Sequence, residues 1–406
     1  MRRSYSAVRR FGSLVRAELA YVLRTRLDVS KPNTVQSQVL PLATSGCDVL
    51  CVAQTGSGKT LAFLLPLLER LCAPSTANST SRRDALIIVP TRELAAQHEE
   101  IAKTIIGGLQ HPPRVVSCCS NALLEPNVNS ETHRALEQDV GTLIISKADH
   151  ALRYFRSGSL DPARLFAVAI DEADAVLCGG PYDEALSRRG EALLNAVEAT
   201  GIPPQYLLAT AILSTAHETA LSARFSSATR VPMQSSRGAK MGTLVPSLRQ
   251  RFYYTSGNKE RHLIRVLLNA QRDPWLAGGT TLVFCRRSDH TERLLALISS
   301  SLIESRPRAL HEHMADDERL ASISALRDNT TRLLVCTDVA ARGLDLPSIR
   351  HVILYDMPVD VAGFVHSAGR TARQGREGMV SCLVESHVEA KRFHELHSLQ
   401  KAPPVW

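Results

Sequence analysis

The sequence predicts an α/β protein with two parallel-sheet domains in tandem. Two observations carry that expectation. From about Ala43 onward, short apolar runs of strand length alternate with helical patterns, the rhythm of a parallel sheet covered by helices on both faces. One stretch, Ser226–Pro246, breaks the rhythm: it is rich in Ser, Gly, Pro and basic residues and has no clear period, which predicts a linker. The expected organisation is a basic arm at 1–10, a first domain at 11–230, a linker at 231–248 and a second domain at 249–406.

In the first half, Asp48–Ala53 predicts a strand, followed by a turn and a helix through Leu61, Leu64, Leu65 and Leu68. Ala85–Pro90 predicts a second strand with a helix after Arg92, and Ser75–Arg83 before it reads as a polar surface loop. Arg114–Ser120, Thr142–Ser146, Leu165–Ile170 and Tyr206–Thr210 predict further strands. In the second half the predicted strands are Gln250–Thr255, Thr281–Cys285, Arg332–Thr337, His351–Asp356 and Val380–Val384, with helices between them.

A length of 406 residues suits two well-buried domains, and 44% hydrophobic with 22% charged residues is ordinary for a globular protein. No apolar run approaches the roughly 20 residues that cross a bilayer, so no membrane span is expected. The net charge of +8 suits a polyanionic partner. The nine cysteines include no C-x-x-C pair, and Cys51, Cys285 and Cys336 lie in apolar, strand-like runs; buried reduced thiols are expected, not disulfides or a zinc site. Arg2, Arg3, Arg9, Arg10 and Arg16 precede the first acid, Glu18, with serines between them. That composition fits a mitochondrial transit peptide, and equally a basic arm of a nuclear or cytoplasmic protein.

Ala53-Gln54-Thr55-Gly56-Ser57-Gly58-Lys59-Thr60 lies between a predicted strand and a predicted helix, the context of a phosphate-binding loop. Gly56 and Gly58 permit the tight turn that aims backbone N–H groups at phosphate oxygens, Lys59 can reach the β- and γ-phosphates, and the Thr60 hydroxyl can ligate Mg²⁺. The apolar run to Ile170 then delivers Asp171-Glu172-Ala173-Asp174 at a strand's carboxyl end. Asp171 would hold Mg²⁺ and Glu172 would orient or activate the attacking water.

With that loop, these four residues resemble the signature of the DEAD-box family of superfamily-2 RNA helicases, and the likeness runs from about Phe11 to Val384. The resemblance implies two RecA-like domains that close on ATP and RNA together, with ATP and Mg²⁺ as cofactors and RNA as partner. Pro32-Asn33-Thr34-Val35-Gln36 is similar to the family's adenine-sensing element, with Gln36 on the adenine edge and Phe11 at the upstream aromatic spacing. The segment from Pro90, Thr91 and Arg92 to Gln97 is similar to its first RNA-phosphate element. Leu282-Val283-Phe284 resembles the opening strand motif of the second domain, and Leu310-His311 with Arg319 a degenerate phosphate-contacting loop. In the run Thr337–Asp345, Thr337 is implied to touch RNA and Asp345 the ATP ribose. His366, Gly369, Arg370 and Arg373 match the last motif, whose two arginines act on the γ-phosphate; their spacing would place both on one helix face.

The departures from the family fall on RNA-facing and coupling elements. Ser146-Lys147-Ala148-Asp149 stands where the family has Thr-Pro-Gly-Arg, so Asp149 replaces an arginine and either caps the following helix or repels phosphate. Paired glycines are not evident near Cys118–Asn121, and the Ser-Ala-Thr motif is blurred to Thr210-Ala211-Ile212, with Ala209-Thr210 as a rival alignment. Ser367 replaces an arginine, and Glu312 and Asp316 a Gly and a Gln; apart from these, Val29 stands where many members stack an aromatic on adenine. Two expectations stay open: an RNA-dependent ATPase that remodels short duplexes or RNA–protein complexes, and an ATP-gated RNA clamp or ribonucleoprotein assembly factor with little unwinding. A monomer is expected in either case.

Overall fold

The computed structural model describes residues 10–53, 56–73, 84–119, 141–179, 184–211, 215–232, 247–255, 257–302, 305–337, 349–358, 361–372, 376–385 and 389. The chain divides into two compact units, Met1–Gln234 and Ser235–Trp406.

The first unit holds a parallel sheet whose described strands are β1 (Val49–Val52), β2 (Asp84–Ile88), β3 (Arg114–Ser117), β4 (Thr142–Ser146), β5 (Leu165–Ile170), β6 (Gln205–Thr210) and β7 (Thr229–Pro232), in the order β3-β4-β2-β5-β6-β1-β7. Side chains alternate across the sheet. Val49, Cys51, Ile87, Leu143 and Ala169 enter one core, and Leu50, Val52, Ile88, Ile144 and Ile170 the other, as expected when helices cover both faces. The helices are α1 (Ala17–Arg26), α2 (Thr34–Thr44), α3 (Lys59–Leu71), α4 (Arg92–Ile106), α5 (Ala148–Arg156), α6 (Glu184–Glu198) and α7 (Thr215–Arg224).

The second unit holds a parallel sheet of β8 (Leu248–Tyr254), β9 (Thr280–Cys285), β10 (Arg308–Leu310), β11 (Leu333–Thr337), β12 (Ile349–Leu354) and β13 (Gly378–Val384), in the order β10-β11-β9-β12-β13-β8. Its helices are α8 (Lys259–Arg272), α9 (Ser288–Ser301), α10 (Asp316–Arg327) and α11 (Val361–Ala368).

Two strands escape the sequence pattern. β7 lies inside the stretch read as linker from Ser226, and its Val231 and Pro232 inside the linker set at 231–248; β8 likewise begins at Leu248. β10 has only three residues. Both β7 and β10 are edge strands, paired on one side alone, so a short run with one or two buried side chains suffices. Arg2, Arg3, Arg9, Thr55, Asp345, Arg373 and the loop Ser75–Arg83 lie outside the described residues. All nine cysteines are free. No helix among the described residues is long and apolar enough to cross a membrane.

Candidate active site

Parallel strands put their carboxyl ends on one edge, and in the first unit that edge gathers the phosphate loop after β1, Thr91 after β2, Lys147 after β4, Asp171 after β5 and Thr210 at the end of β6. Gly58, at the N-cap of α3, has φ +79°. A Cβ there would stand 2.5 Å from Asn33 Nδ2 and 2.7 Å from Gln36 Nε2, so conformation and crowding both require glycine. Gly56 also has φ +79°.

The crowding comes from α2. Asn33 Oδ1 accepts from the Gln36 N–H at 2.9 Å, and the Asn33 N–H donates to Gln36 Oε1 at 3.0 Å, a reciprocal cap of α2. The same side chains hold the loop: Asn33 Nδ2 donates to Ser57 O at 2.8 Å and Gln36 Nε2 to Gly58 O at 3.2 Å. Gln36, expected on an adenine edge, here has both ends of its amide engaged and braces the phosphate loop. Phe11, expected near adenine, is 2% exposed in the core with Val15 and Leu19, so its ring has no open face.

Lys59 Nζ donates to Ala53 O at 2.5 Å. Desolvation draws its pKa below the ordinary lysine value, against the pull of Asp171 and Glu172. Thr60 follows it in the first turn of α3 and is partly exposed. Asp171 Oδ1 accepts from the Glu172 N–H at 3.0 Å, and Oδ2 lies 3.2 Å from His98 Nε2. Burial pushes the Asp171 carboxyl up, but His98 and Lys59 outweigh it and hold it below the usual carboxylate value.

His98, which the sequence reading did not single out, lies against the Asp171 carboxylate. It sits on α4, 1% exposed, with Nδ1 2.9 Å from Leu94 O and its ring stacked on Phe63 at 5.6 Å. Both ring nitrogens face oxygens that only accept, Leu94 O at Nδ1 and the Asp171 carboxylate at Nε2, and a proton on Nε2 is what makes the contact with Asp171 attractive. The signal was available as a histidine within the buried stripe Leu94, Ala95, Ala102 and Ile105. Glu172 is buried and adopts φ +50°, a left-handed conformation sparsely populated by residues other than glycine, at the turn leaving β5. One π-helical turn, Asp174–Cys178, follows. Asp174 Oδ1 accepts from Thr210 Oγ1 at 2.6 Å, tying the acidic run to the end of β6.

The elements matched to RNA contacts are arranged differently. Pro90 is buried, and Thr91 Oγ1 accepts from the Leu94 N–H at 3.2 Å as the cap of α4, with Arg92 partly exposed beside it. Asp149 does not cap α5. Lys147 holds the N-cap position without a side-chain bond, and Asp149 lies in the first turn among cations. Burial raises the Asp149 pKa, yet Lys147, His150 and Arg189 together hold it below the usual value. In the second unit Thr337 Oγ1 donates to Glu312 Oε2 at 2.7 Å, and Arg319 Nη1 donates to His311 O at 2.9 Å. Arg370 is 2% exposed. It does not lie on a helix face, because α11 ends at Ala368 and the chain turns at Gly369, where a Cβ would meet Val365 O at 2.8 Å. Ser367 turns its hydroxyl back to Gly363 O at 2.9 Å.

Residues 33–219 match the DEAD/DEAH box helicase family and residues 259–375 the helicase conserved C-terminal domain. The chain is 32% identical to a probable ATP-dependent RNA helicase ddx27 of Dictyostelium discoideum, over 87% of this chain and 42% of that protein. It is 31% identical to the ATP-dependent rRNA helicase rrp3 of Emericella nidulans, over 92% of this chain and 74% of that one. It thus spans less than half the length of some relatives it matches, such as the ddx27 protein and DRS1 of Yarrowia lipolytica, and about three quarters of others. Among solved structures, Mss116p bound to ssRNA and AMP-PNP aligns with a TM-score of 0.81 at 20% identity, over all of this chain and 80% of that one. Dbp5 of S. cerevisiae bound to RNA and ADP BeF3 aligns at 0.77 and 21% identity, over 96% and 93% of the two chains. At that identity the structures speak for the fold alone, two RecA-like domains. With the family matched in both units and a relative aligned over most of both lengths, this chain belongs to the DEAD-box family of helicases.

Proposed function

We propose that the chain is an RNA-dependent ATPase that remodels short RNA duplexes or RNA–protein complexes. The observation that carries this reading is the single buried cluster at the carboxyl edge of the first sheet: a desolvated lysine on the phosphate loop, an ionised carboxylate braced by His98, and a strained, buried glutamate next to it. A lysine held on the phosphate loop suits the phosphates of ATP, to which it supplies a positive charge.

Asp171 and the Thr60 hydroxyl are the oxygen donors that would hold Mg²⁺ beside the substrate phosphates. When bound, Mg²⁺ supplies positive charge to the phosphate oxygens. Glu172 orients the attacking water and accepts its proton. Thr210 and Asp174 link the acidic run to β6, the place of the family's coupling element. Arg92, Arg319 and Thr337 meet RNA phosphates, a sequence-independent mode of binding.

The test is ATP hydrolysis with and without single-stranded RNA. Lys59→Ala should lose hydrolysis. Glu172→Gln should still bind a fluorescent ATP analogue and lose turnover by about 10²–10⁴-fold, the usual worth of a general base. Normal turnover in Glu172→Gln would overturn the assignment. Duplex release with a non-hydrolysable analogue equal to that with ATP would point to a clamp.

A further inference from the structure

Helices α5 and α6 of the first unit pack side by side and leave an open groove lined by Arg153 and Arg156 from α5 and by Arg188, Arg189 and Glu184 from α6, with Glu184 paired to Arg188 at 2.7 Å. Lys147 stands at its head, at the start of α5. The cations on α5 run from the carboxyl edge of the sheet along about 13 Å of helix. Arg153 and Arg189 are about half exposed, at 50% and 51%, whereas Asp149 in their midst is 17% exposed.

The contacts of Asp149 are unusual. Lys147 Nζ is 3.7 Å from its carboxylate, and His150 Nε2, Arg153 Nη2 and Arg189 Nη1 are each 3.9 Å away. These are charge contacts beyond hydrogen-bond reach, and Asp149 Oδ1, although buried, accepts no hydrogen bond. Glu184 holds Arg188 at hydrogen-bond distance, whereas Asp149 neutralises part of the cationic cluster without engaging the forks of Arg153 and Arg189.

We propose that this groove binds the phosphodiester backbone of a single RNA strand, and that Asp149 is an internal anion which an incoming phosphate displaces from Arg153 and Arg189. The proposal rests on the reading of the chain as an RNA-binding ATPase and adds to it a track beyond the loop Ser146–Asp149. Phosphate is favoured over an acidic peptide for two reasons. The groove is lined by guanidinium groups, whose planar forks chelate phosphate oxygens. The N-terminus of α5, which favours a compact anion, opens at its head.

The experiment is a salt titration of the affinity of the full chain for a labelled oligouridine, with thermal melts to confirm folding. Arg153→Gln with Arg189→Gln should weaken binding and flatten the slope of log K against log salt by roughly 0.7 for each lost contact. Asp149→Asn should bind several-fold more tightly than wild type. A folded double variant with wild-type affinity and slope overturns the groove, and an unchanged Asp149→Asn overturns the displacement. An oligoglutamate that competes as well as RNA of equal charge overturns the choice of ligand. If the wild type itself binds no oligouridine at low salt, the RNA-dependent reading fails first, and that outcome is distinct from the other three.

Discussion

The phosphate side of the first unit and the elements matched to RNA contacts treat their charges in opposite ways. On the phosphate side, polar groups brace one another at short range: Asp171 with His98, Asp174 with Thr210, Gln36 with the loop carbonyl at Gly58. On the RNA-matched side the chain supplies its own anions, with Asp149 among arginines and Glu312 accepting the Thr337 hydroxyl. The first arrangement is organised before a ligand arrives. In the second, a ligand gains only the difference between its own contacts and the internal ones it replaces. On the proposed reading, these departures are expected to lower RNA affinity while leaving the phosphate side in place.

The strongest challenge to this contrast is His98. His98→Leu leaves Asp171 buried without its partner, and loss of such a supporting contact typically costs about 10–100-fold in metal affinity or activity. We expect a loss of that size in the Mg²⁺ dependence of fluorescent ADP binding, with partial recovery in His98→Gln, which retains a side-chain N–H. An unchanged Mg²⁺ dependence would show that the phosphate side does not rely on this brace.

A smaller effect is expected at Gly190, where α6 meets the π-helical turn after the acidic run. A Cβ there would lie 2.2 Å from Val176 O, a backbone atom that cannot swing aside. Gly190→Ala should lower stability by about 1–3 kcal/mol, read from the denaturant midpoint. A wild-type midpoint would mean that this packing yields freely and does not hold the acidic segment.

The smallest effect is expected at Glu312. Glu312→Gln removes the internal charge beside Thr337 and should tighten RNA binding a few-fold, the size of one hydrogen bond of about 1 kcal/mol. Affinity that stays the same or falls would remove Thr337 from the RNA-facing surface and narrow the contrast to Asp149 alone.

Much of this was legible before the structure. Thr142–Ser146 and Leu165–Ile170 form strands over the expected residues, since each is a continuous apolar run ended by polar residues. The edge strands β7 and β10 were not legible, because one neighbour and a few buried atoms leave no periodic signal. Arg370 was misplaced because spacing alone assumed a helix through Gly369, where the chain instead turns. Phe11 and Gln36 were matched to adenine by spacing, and packing adds what spacing did not show: the first lies in the core and the second also braces the phosphate loop.

By itself, the sequence determined the α/β class, the phosphate loop and the acids at the end of β5. These are local features, in which a strand, a turn and a helix start contiguous in the chain already hold the chemistry. Only the tertiary structure decided which side chains meet across the sheet: His98 with Asp171, Thr210 with Asp174, Glu312 with Thr337, and Arg189 with Asp149. Such contacts depend on strand order and on how helices seat against the sheet. Here β2 lies beside β5, β5 beside β6, and α5 against α6, and no local pattern encodes those neighbours.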